Sequence, residues 1–292
     1  MITCEEIYDL HTTGALESAL CEAYREIPLD SRNSMRKNDT PLHMACAFVD
    51  ENAVRILLER GADVNVRNDD GDTPLCVLAK RKCCGKETTI AGIAGLLVSK
   101  EARVPRSGKN TTALIEAVGN RHFLMADILL MSGCRIDSTN SNGNNVLHVI
   151  CQSAGDIAYD IKRTKERIAD FSERWYSEKD KREAYENMEY LEEADRQCFL
   201  TAKRILENGQ IDTEDKNNIG KTALDIAWET GARRIGALLS GQDPDTDELS
   251  ALIGGLDVFQ ALWYKDMIAL DAILRSGTEL QTVCEDKKLY DF

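Results

Sequence analysis

The amino-acid sequence predicts an all-α solenoid of stacked repeats, with a long helical hairpin inserted into one of them. A threonine-containing motif returns after 33 residues, from Thr40 to Thr73. Each motif is followed by a Leu-Leu or Ile-Leu pair, which lies 17 and 18 positions on at 57–58, 129–130 and 273–274. Aromatic residues are scarce at 6% and Pro numbers only 5, which favours helices over a β-sandwich. A fixed period of about 20 to 50 residues is typical of repeat architectures whose units bury their apolar faces against neighbours.

The repeat keeps its register along most of the chain. With Thr40 as position zero of its unit, the equivalent positions are Thr73, Thr112, Asn145, Thr222 and Leu256. The interval of 39 before Thr112 is one period plus 6 residues, and the interval of 77 before Thr222 is one period plus 44. A degenerate unit around Ile7 and Leu10 precedes them. We therefore predict a single solenoid of about seven units over residues 1–292.

Helix boundary signals agree with this frame. Thr40 and Thr73 are good N-cap residues, and each is followed by a Pro, which is tolerated in the first helical turn. Gly61 and Gly133 follow the second helix of their units, where a C-terminal glycine is expected.

The motifs resemble the ankyrin repeat. The closest matches are TPLH at 40–43, LLERGADVN at 57–65 and GKTALDIA at 220–227. The resemblance implies a β-turn finger, an inner helix and an antiparallel outer helix in each unit. It also implies that His43 and His148 bind the backbone of a neighbouring loop, and that the protein recognises another protein without catalysis.

The insertion at 153–204, within the fifth unit, is predicted to be an antiparallel helical hairpin. Apolar residues recur every seven positions on both arms, as at Ile161 and Ile168 and again at Leu191, Cys198 and Ile205. The charged segment 177–182 is the predicted turn. The insertion falls between the inner and outer helices of its unit, so both helices can simply extend.

Composition narrows the class of protein. The net charge of −14 makes nucleic acid and anionic membranes poor partners, so we predict neither. The longest apolar stretch, 90–98, is too short to span a membrane, and the acidic N-terminus is not a signal peptide. Ten Cys without a pairing pattern indicate reduced thiols, and hence a cytoplasmic protein. Export as an effector without a signal peptide is compatible with the same features.

No residue pattern predicts catalysis, a cofactor or a metal. Cys76, Cys83 and Cys84 cluster, but a zinc site usually needs four ligands in paired motifs. The segments CCGKET and SGKNTT lack the first glycine of a phosphate-binding loop. We therefore predict that the protein is not an enzyme.

The family resemblance places the binding surface on the concave face, the finger loops and the hairpin. The candidate protein-binding residues are Arg36, Lys37, Phe48, Asp69, Asp70, Asp72, Lys80, Arg81, Asn142, Asn144, Tyr176, Tyr185, Trp263 and Tyr264. Phe48, Trp263 and Tyr264 are candidate anchors because large aromatic side chains dominate interface energetics. Trp263 and Tyr264 are equally compatible with closing off the last repeat.

The predicted function is therefore protein–protein recognition. A sharper alternative is an acidic inhibitor that masks a basic partner such as a nuclease, because the fingers carry many acids. A second alternative is an enzyme with an unrecognised site on the Cys76–Cys84 loop or at the base of the hairpin. A third is self-association through the hairpin.

Overall fold

A computed structural model describes residues 2–82, 85–102, 112–172, 176–209 and 211–242. The chain divides into two units, Met1–Gly236 and Ala237–Phe292, and only residues 237–242 of the second unit are among those described. The described residues form helices joined by turns, with no β-strand and one isolated antiparallel bridge between Asn33 and Asp39. This confirms the predicted all-α class. The count of about seven units over 1–292 stays a prediction.

The described part of the chain contains twelve α-helices. They are α1 (Cys4–Thr12), α2 (Glu17–Glu26), α3 (Pro41–Phe48), α4 (Glu51–Glu59), α5 (Pro74–Ala79), α6 (Glu87–Ser99), α7 (Ala113–Gly119), α8 (Phe123–Met131), α9 (Val146–Ala169), α10 (Glu178–Glu207), α11 (Ala223–Thr230) and α12 (Arg233–Leu239). One turn of 3-10 helix, Asp170–Ser172, follows α9.

The helices form two layers. Each odd-numbered helix packs against the next odd-numbered helix, from α1 to α11, and the even-numbered helices from α2 to α10 pack in the same order. The leucine two positions after the frame residue is fully buried in three consecutive units, at Leu75, Leu114 and Leu147. Because each helix pair buries its apolar face against its neighbours, the core is continuous along the stack.

The frame residue begins the inner helix of each unit. The side chains of Thr73, Thr112, Asn145 and Thr222 each accept a hydrogen bond from the backbone N–H three residues on. Thr3 does the same and forms a capping box with Glu6. The T-x-x-E pattern is a known helix-start signal, and it marks Thr3 as the frame residue of the first, degenerate unit.

One asparagine side chain stabilises the backbone of each of three fingers. Asn68, Asn140 and Asn217 use the side-chain oxygen to accept hydrogen bonds from two backbone N–H groups of their own finger. The following glycine at 71, 143 and 220 has positive φ, between 73° and 79°. In the first finger Asn38 takes φ 56°, a conformation that Asn tolerates better than most residues.

Neighbouring fingers are joined by hydrogen bonds. The amide of Asn68 donates to Asp39 across 2.8 Å, and the amide of Asn217 donates to Asn144 across 2.8 Å. Backbone bonds support both contacts, because Asp69 N–H donates to the Lys37 carbonyl and Asn218 N–H to the Asn142 carbonyl. The fingers therefore stack in the same order as the helices.

Helices α9 and α10 are the long arms of the insertion and pack against each other. Helix α9 has 24 residues and α10 has 30, against 6 to 8 in the inner helices α3, α5, α7 and α11. At about 1.5 Å per residue α9 is about 36 Å long. Leu191, Cys198 and Ile205 are buried, at the heptad spacing read from the sequence.

The predicted turn of this hairpin is wrong in position. Ser177 caps α10 in a capping box with Asp180, so residues 178–182 are already helical. The connection lies before Ser177, after the 3-10 turn that ends at Ser172. The charges of this segment lie in the first turn of α10, where Glu178 and Asp180 interact favourably with the helix dipole.

Candidate protein-binding surface

The inner helices and fingers of the first units surround an open depression. It is lined by Tyr8, Arg36, Asp39, Met44, Ala47, Phe48 and Arg81, and we call it the Tyr8–Arg81 depression. Helix α1 supplies Tyr8, the first finger Arg36 and Asp39, α3 its three apolar members, and the loop after the end of α5 supplies Arg81. Two of the predicted binding residues on the inner-helix side, Phe48 and Arg81, thus meet in one place.

Phe48 is half-buried in an aromatic cluster. Its ring stacks on the His11 imidazole, with centroids 4.1 Å apart, and tilts against the Tyr8 ring at 5.6 Å. His11 also makes a hydrogen bond to the Tyr24 hydroxyl at 2.9 Å. His11 and Phe48 both lie eight positions after their frame residues, Thr3 and Thr40, so the contact repeats the register of the stack.

Arg36 is exposed but held in place. Its guanidinium carbon lies 4.5 Å from the centroid of the Tyr8 ring, and Nη2 donates to the Tyr8 hydroxyl at 2.8 Å. A cation over an aromatic face is stabilised by about 0.5 to 1 kcal/mol at an exposed site. Arg36 is thereby fixed at the rim of the depression.

The acids of the second finger are all engaged. Asp70 forms an ion pair with Lys37 of the first finger, and Asp69 accepts a hydrogen bond from Asn38. Asp72 is only 3% exposed and pairs with Lys80 at 2.5 Å. The finger acids and two of the predicted basic residues therefore bind one another within the stack.

The two predicted binding residues of the fourth finger differ in exposure. Asn142 is exposed at the finger tip, whereas Asn144 is 9% exposed and accepts the hydrogen bond from Asn217. Asn142 is available to a partner, and Asn144 holds the neighbouring finger.

The predicted residues at the end of the hairpin gather around one aromatic ring. Tyr176 and Tyr185 contact Phe171 edge-on, with centroids 4.8 Å and 6.2 Å apart. Tyr185 is 57% exposed. Trp263 and Tyr264 lie outside the described residues.

The histidines hold successive repeats together. Nε2 of His43 donates to the Asp72 carbonyl and Nε2 of His148 to the Lys221 carbonyl, both at 3.0 Å, so the predicted loop contacts are present. His122 reaches the Arg81 carbonyl at 2.5 Å. Burial lowers the pKa of His11, His43 and His122 below the ordinary value, which favours neutral rings.

The cysteines are placed as small apolar residues. Cys46, Cys151 and Cys198 are 0% exposed, and burial raises the pKa of the Cys151 thiol to about 12. Among the described residues, no three His, Cys, Asp or Glu side chains gather as metal ligands. Cys83 and Cys84 lie outside the described part of the chain.

Two residues of the depression, Tyr8 and Met44, were not predicted from the sequence. Tyr8 was hidden because its unit is degenerate, yet the T-x-x-E signal at Thr3 places it five residues into an inner helix. Met44 has no sequence signal, since it is 2% exposed and indistinguishable from a core residue.

Comparison with known proteins now identifies the class. Residues 27–76 match the family model of ankyrin repeats in many copies. Residues 27–76 are therefore ankyrin repeats, and the helix pairs, fingers and loop-binding histidines described above continue the same architecture beyond them. Ankyrin repeats generally mediate protein–protein interaction.

Two curated relatives are similar to parts of the chain. An ankyrin repeat-containing protein of Schizosaccharomyces pombe is 34% identical over 68 residues, which cover 21% of this chain and 33% of that protein. The phosphocholine transferase AnkX of Legionella pneumophila is 26% identical over 201 residues, 64% of this chain and 20% of that protein. The match thus spans a third of the first relative and a fifth of the second. No helix among the described residues is long and apolar enough to cross a membrane.

Proposed function

We propose that this protein is a non-catalytic recognition module that binds another protein through its fingers and inner-helix face, with the Tyr8–Arg81 depression at the centre of the interface. The observation that carries the proposal is the half-exposed aromatic and arginine cluster of Tyr8, Arg36 and Phe48. Binding hot spots are enriched in Tyr and Arg side chains that are held by their neighbours.

The histidines and cysteines of the described residues have structural roles, which supports a function without catalysis. Each of the three buried loop-binding histidines is occupied by a backbone carbonyl, and the buried thiols have raised pKa values, which disfavour the reactive thiolate. The relative that is a transferase matches over only a fifth of its length, so the similarity does not carry its activity to this chain. Buried reduced thiols also favour the cytoplasm as the working compartment.

The alternative of an acidic inhibitor for a basic partner receives less support. It relies on the net charge and on acidic fingers, and two of the finger acids, Asp70 and Asp72, are paired with Lys37 and Lys80. The net charge of −14 still contributes a long-range attraction for cations.

Site-specific photo-crosslinking in the producing cell tests the proposal. Phe48 is replaced by p-benzoylphenylalanine in one variant, and Met131 in a control variant. Met131 is 84% exposed at the end of α8, in the other helix layer. We expect a discrete protein adduct from position 48 and none of that mass from position 131.

Adducts of equal mass and yield from both positions would indicate non-specific contact. A complete absence of protein adducts from position 48, in cells where the variant is folded, would contradict a role in protein recognition.

A further inference from the structure

The two arginines of the Tyr8–Arg81 depression differ from the other cations of the fingers. Lys37 and Lys80 each have an aspartate partner. Within the described ranges, neither Arg36 nor Arg81 forms an ion pair, and the side-chain contacts of Arg36 are both with Tyr8.

Arg81 carries an unsatisfied donor. Its Nε is buried and has no hydrogen-bond acceptor among the described residues, although its side chain lines the depression. A buried donor without a partner destabilises the protein, because it has lost its hydrogen bonds to water. An acceptor brought in by a ligand would recover part of that free energy.

Asp39 is the one acidic residue among those that line the depression, beside the two arginines. Asp39 is 7% exposed and its Oδ1 already accepts a hydrogen bond from Asn68 at 2.8 Å. The depression is therefore locally cationic on a chain whose net charge is −14. Such a local reversal of sign selects for anions among the groups that could enter.

Next to the cations lies an apolar floor. Phe48, Ala47 and Met44 come from consecutive turns of α3, and the Tyr8 ring borders them. The floor is an apolar surface next to the two guanidinium groups.

We propose that the Tyr8–Arg81 depression binds an acidic segment of the partner protein. An Asp or Glu carboxylate lies between Arg36 and Arg81, and an apolar side chain next to it in the segment lies on Phe48. Guanidinium groups suit this role because their N–H donors match the geometry of a carboxylate. The inference rests on the proposed function and specifies the chemistry of the partner.

An array of immobilised nonapeptides tests this with defined probes. All peptides carry the same central Leu or Phe, and the two flanking positions are both Glu, both Gln or both Lys. We expect the intact protein to bind the Glu series at least tenfold more tightly than the Gln series and to leave the Lys series unbound. Binding should weaken as salt increases, because exposed charges are screened.

Three variants locate the binding. Arg36→Gln and Arg81→Met should each lower affinity for the Glu series about tenfold. Arg25→Gln removes the same charge from the exposed side of α2 and should leave affinity unchanged. Circular dichroism melts establish that each variant is folded, and Arg36→Gln keeps the test valid if the Arg81 variant does not fold.

Three results would overturn the inference: preference for the Lys series, equal affinity of the Arg36 and Arg25 variants, or no binding of any series. These outcomes are separate from failure of the proposed function. In one such outcome, position 48 crosslinks a partner with a yield that Arg36→Gln does not change. That result would support the proposed protein recognition and contradict binding of an acidic segment.

Discussion

Gly155 lies where α9 crosses α11, and the absence of a side chain is what lets the two helices approach. A Cβ atom there would overlap Cβ of Thr230 and lie 3.0 Å from its carbonyl oxygen. The Thr230 hydroxyl meanwhile bonds back to the Ile226 carbonyl at 2.8 Å, so it is not free to move away. This contact fixes the long helix of the insertion to the next repeat.

Gly155→Ala should therefore destabilise the protein, by about 1 to 3 kcal/mol or more, because overpacking forces the backbone to shift. Urea denaturation followed by circular dichroism measures the change. Gly95→Ala is the matched control, because Gly95 is also inside a helix and a methyl group there would meet no neighbouring atom within 4 Å. The control should gain about 0.5 to 1 kcal/mol from the better helix propensity of Ala. Equal effects of the two substitutions would contradict the close crossing.

At the scale of the element, the finger depends on its single asparagine. Asn217 is 8% exposed, accepts from the Ile219 and Lys221 N–H groups, and donates to Asn144. Asn217→Ala leaves these groups without their partner and should cost about 1 to 3 kcal/mol. Thermal melting measures this loss. Asn142→Ala changes an exposed residue of the neighbouring finger and should alter stability little; a similar loss in both variants would mean that the amide network does not hold the fingers.

The base of the hairpin is fixed to the neighbouring repeats. Residues 153–160 and 191–204 contact neighbouring repeats, through Ser153 to the Val118 carbonyl at 3.0 Å, Asp160 to Arg121 at 2.9 Å, and Asp195 to Arg234 at 2.6 Å. A deletion that joins Gln152 to Thr201 would remove all three contacts. We therefore expect the part that can be deleted without unfolding to be shorter than the predicted insertion of 153–204.

Replacing residues 162–188 by a short Gly-containing turn should leave a folded protein. The remaining units keep their nearest-neighbour interfaces, and the stability of a solenoid is approximately the sum of its repeats and interfaces. We expect a cooperative melt with reduced helical signal, and loss of partner capture or of any dimer seen by light scattering. The single substitution Tyr185→Ala controls for the exposed ring alone. An unfolded deletion variant would show that the distal hairpin belongs to the core.

Across the molecule, histidines join one repeat to the next. His11 contacts the first full repeat, His43 the second finger, and His122 the loop after α5. Burial lowers the pKa of all three below the unfolded value of about 6.5. Their contribution to stability is complete above pH 6.5 and is lost as the pH falls from 6.5 toward the lowered values. Glu87 opposes this, because burial raises its pKa.

Because three histidines lose stabilising free energy on acidification and only Glu87 opposes them, we expect a lower Tm at pH 5.5 than at pH 7.5. His43→Gln should reduce the difference, since Gln at the third helical position still completes a capping box but does not titrate. Calorimetry at the two pH values measures the shift. The carboxylates with lowered pKa values, Glu5, Asp180 and Asp225, act below pH 4.5 and do not enter this window. An unchanged Tm, or an undiminished difference in the variant, would contradict the assignment.

The sequence by itself determined the repeat and its register, because both depend on residues at fixed spacings. The loop-binding role of His43 and His148 was implied by the resemblance to ankyrin repeats, and the structure contains both contacts. Helix caps, turn glycines and buried leucines are local requirements that a 33-residue period makes visible. The hairpin was also predictable from the sequence, because apolar residues recur every seven positions on both of its arms.

Only the tertiary structure decided which polar residues remain available to a partner. Asp70 and Asp72 look like free finger acids in the sequence, but stacking brings Lys37 and Lys80 to them. Arg36 and Arg81 lie 45 positions apart, and nothing local indicates that they line one depression without a carboxylate partner among the described residues. Charge pairing between repeats depends on how side chains meet across the stack, and these distances follow from packing and not from spacing along the chain.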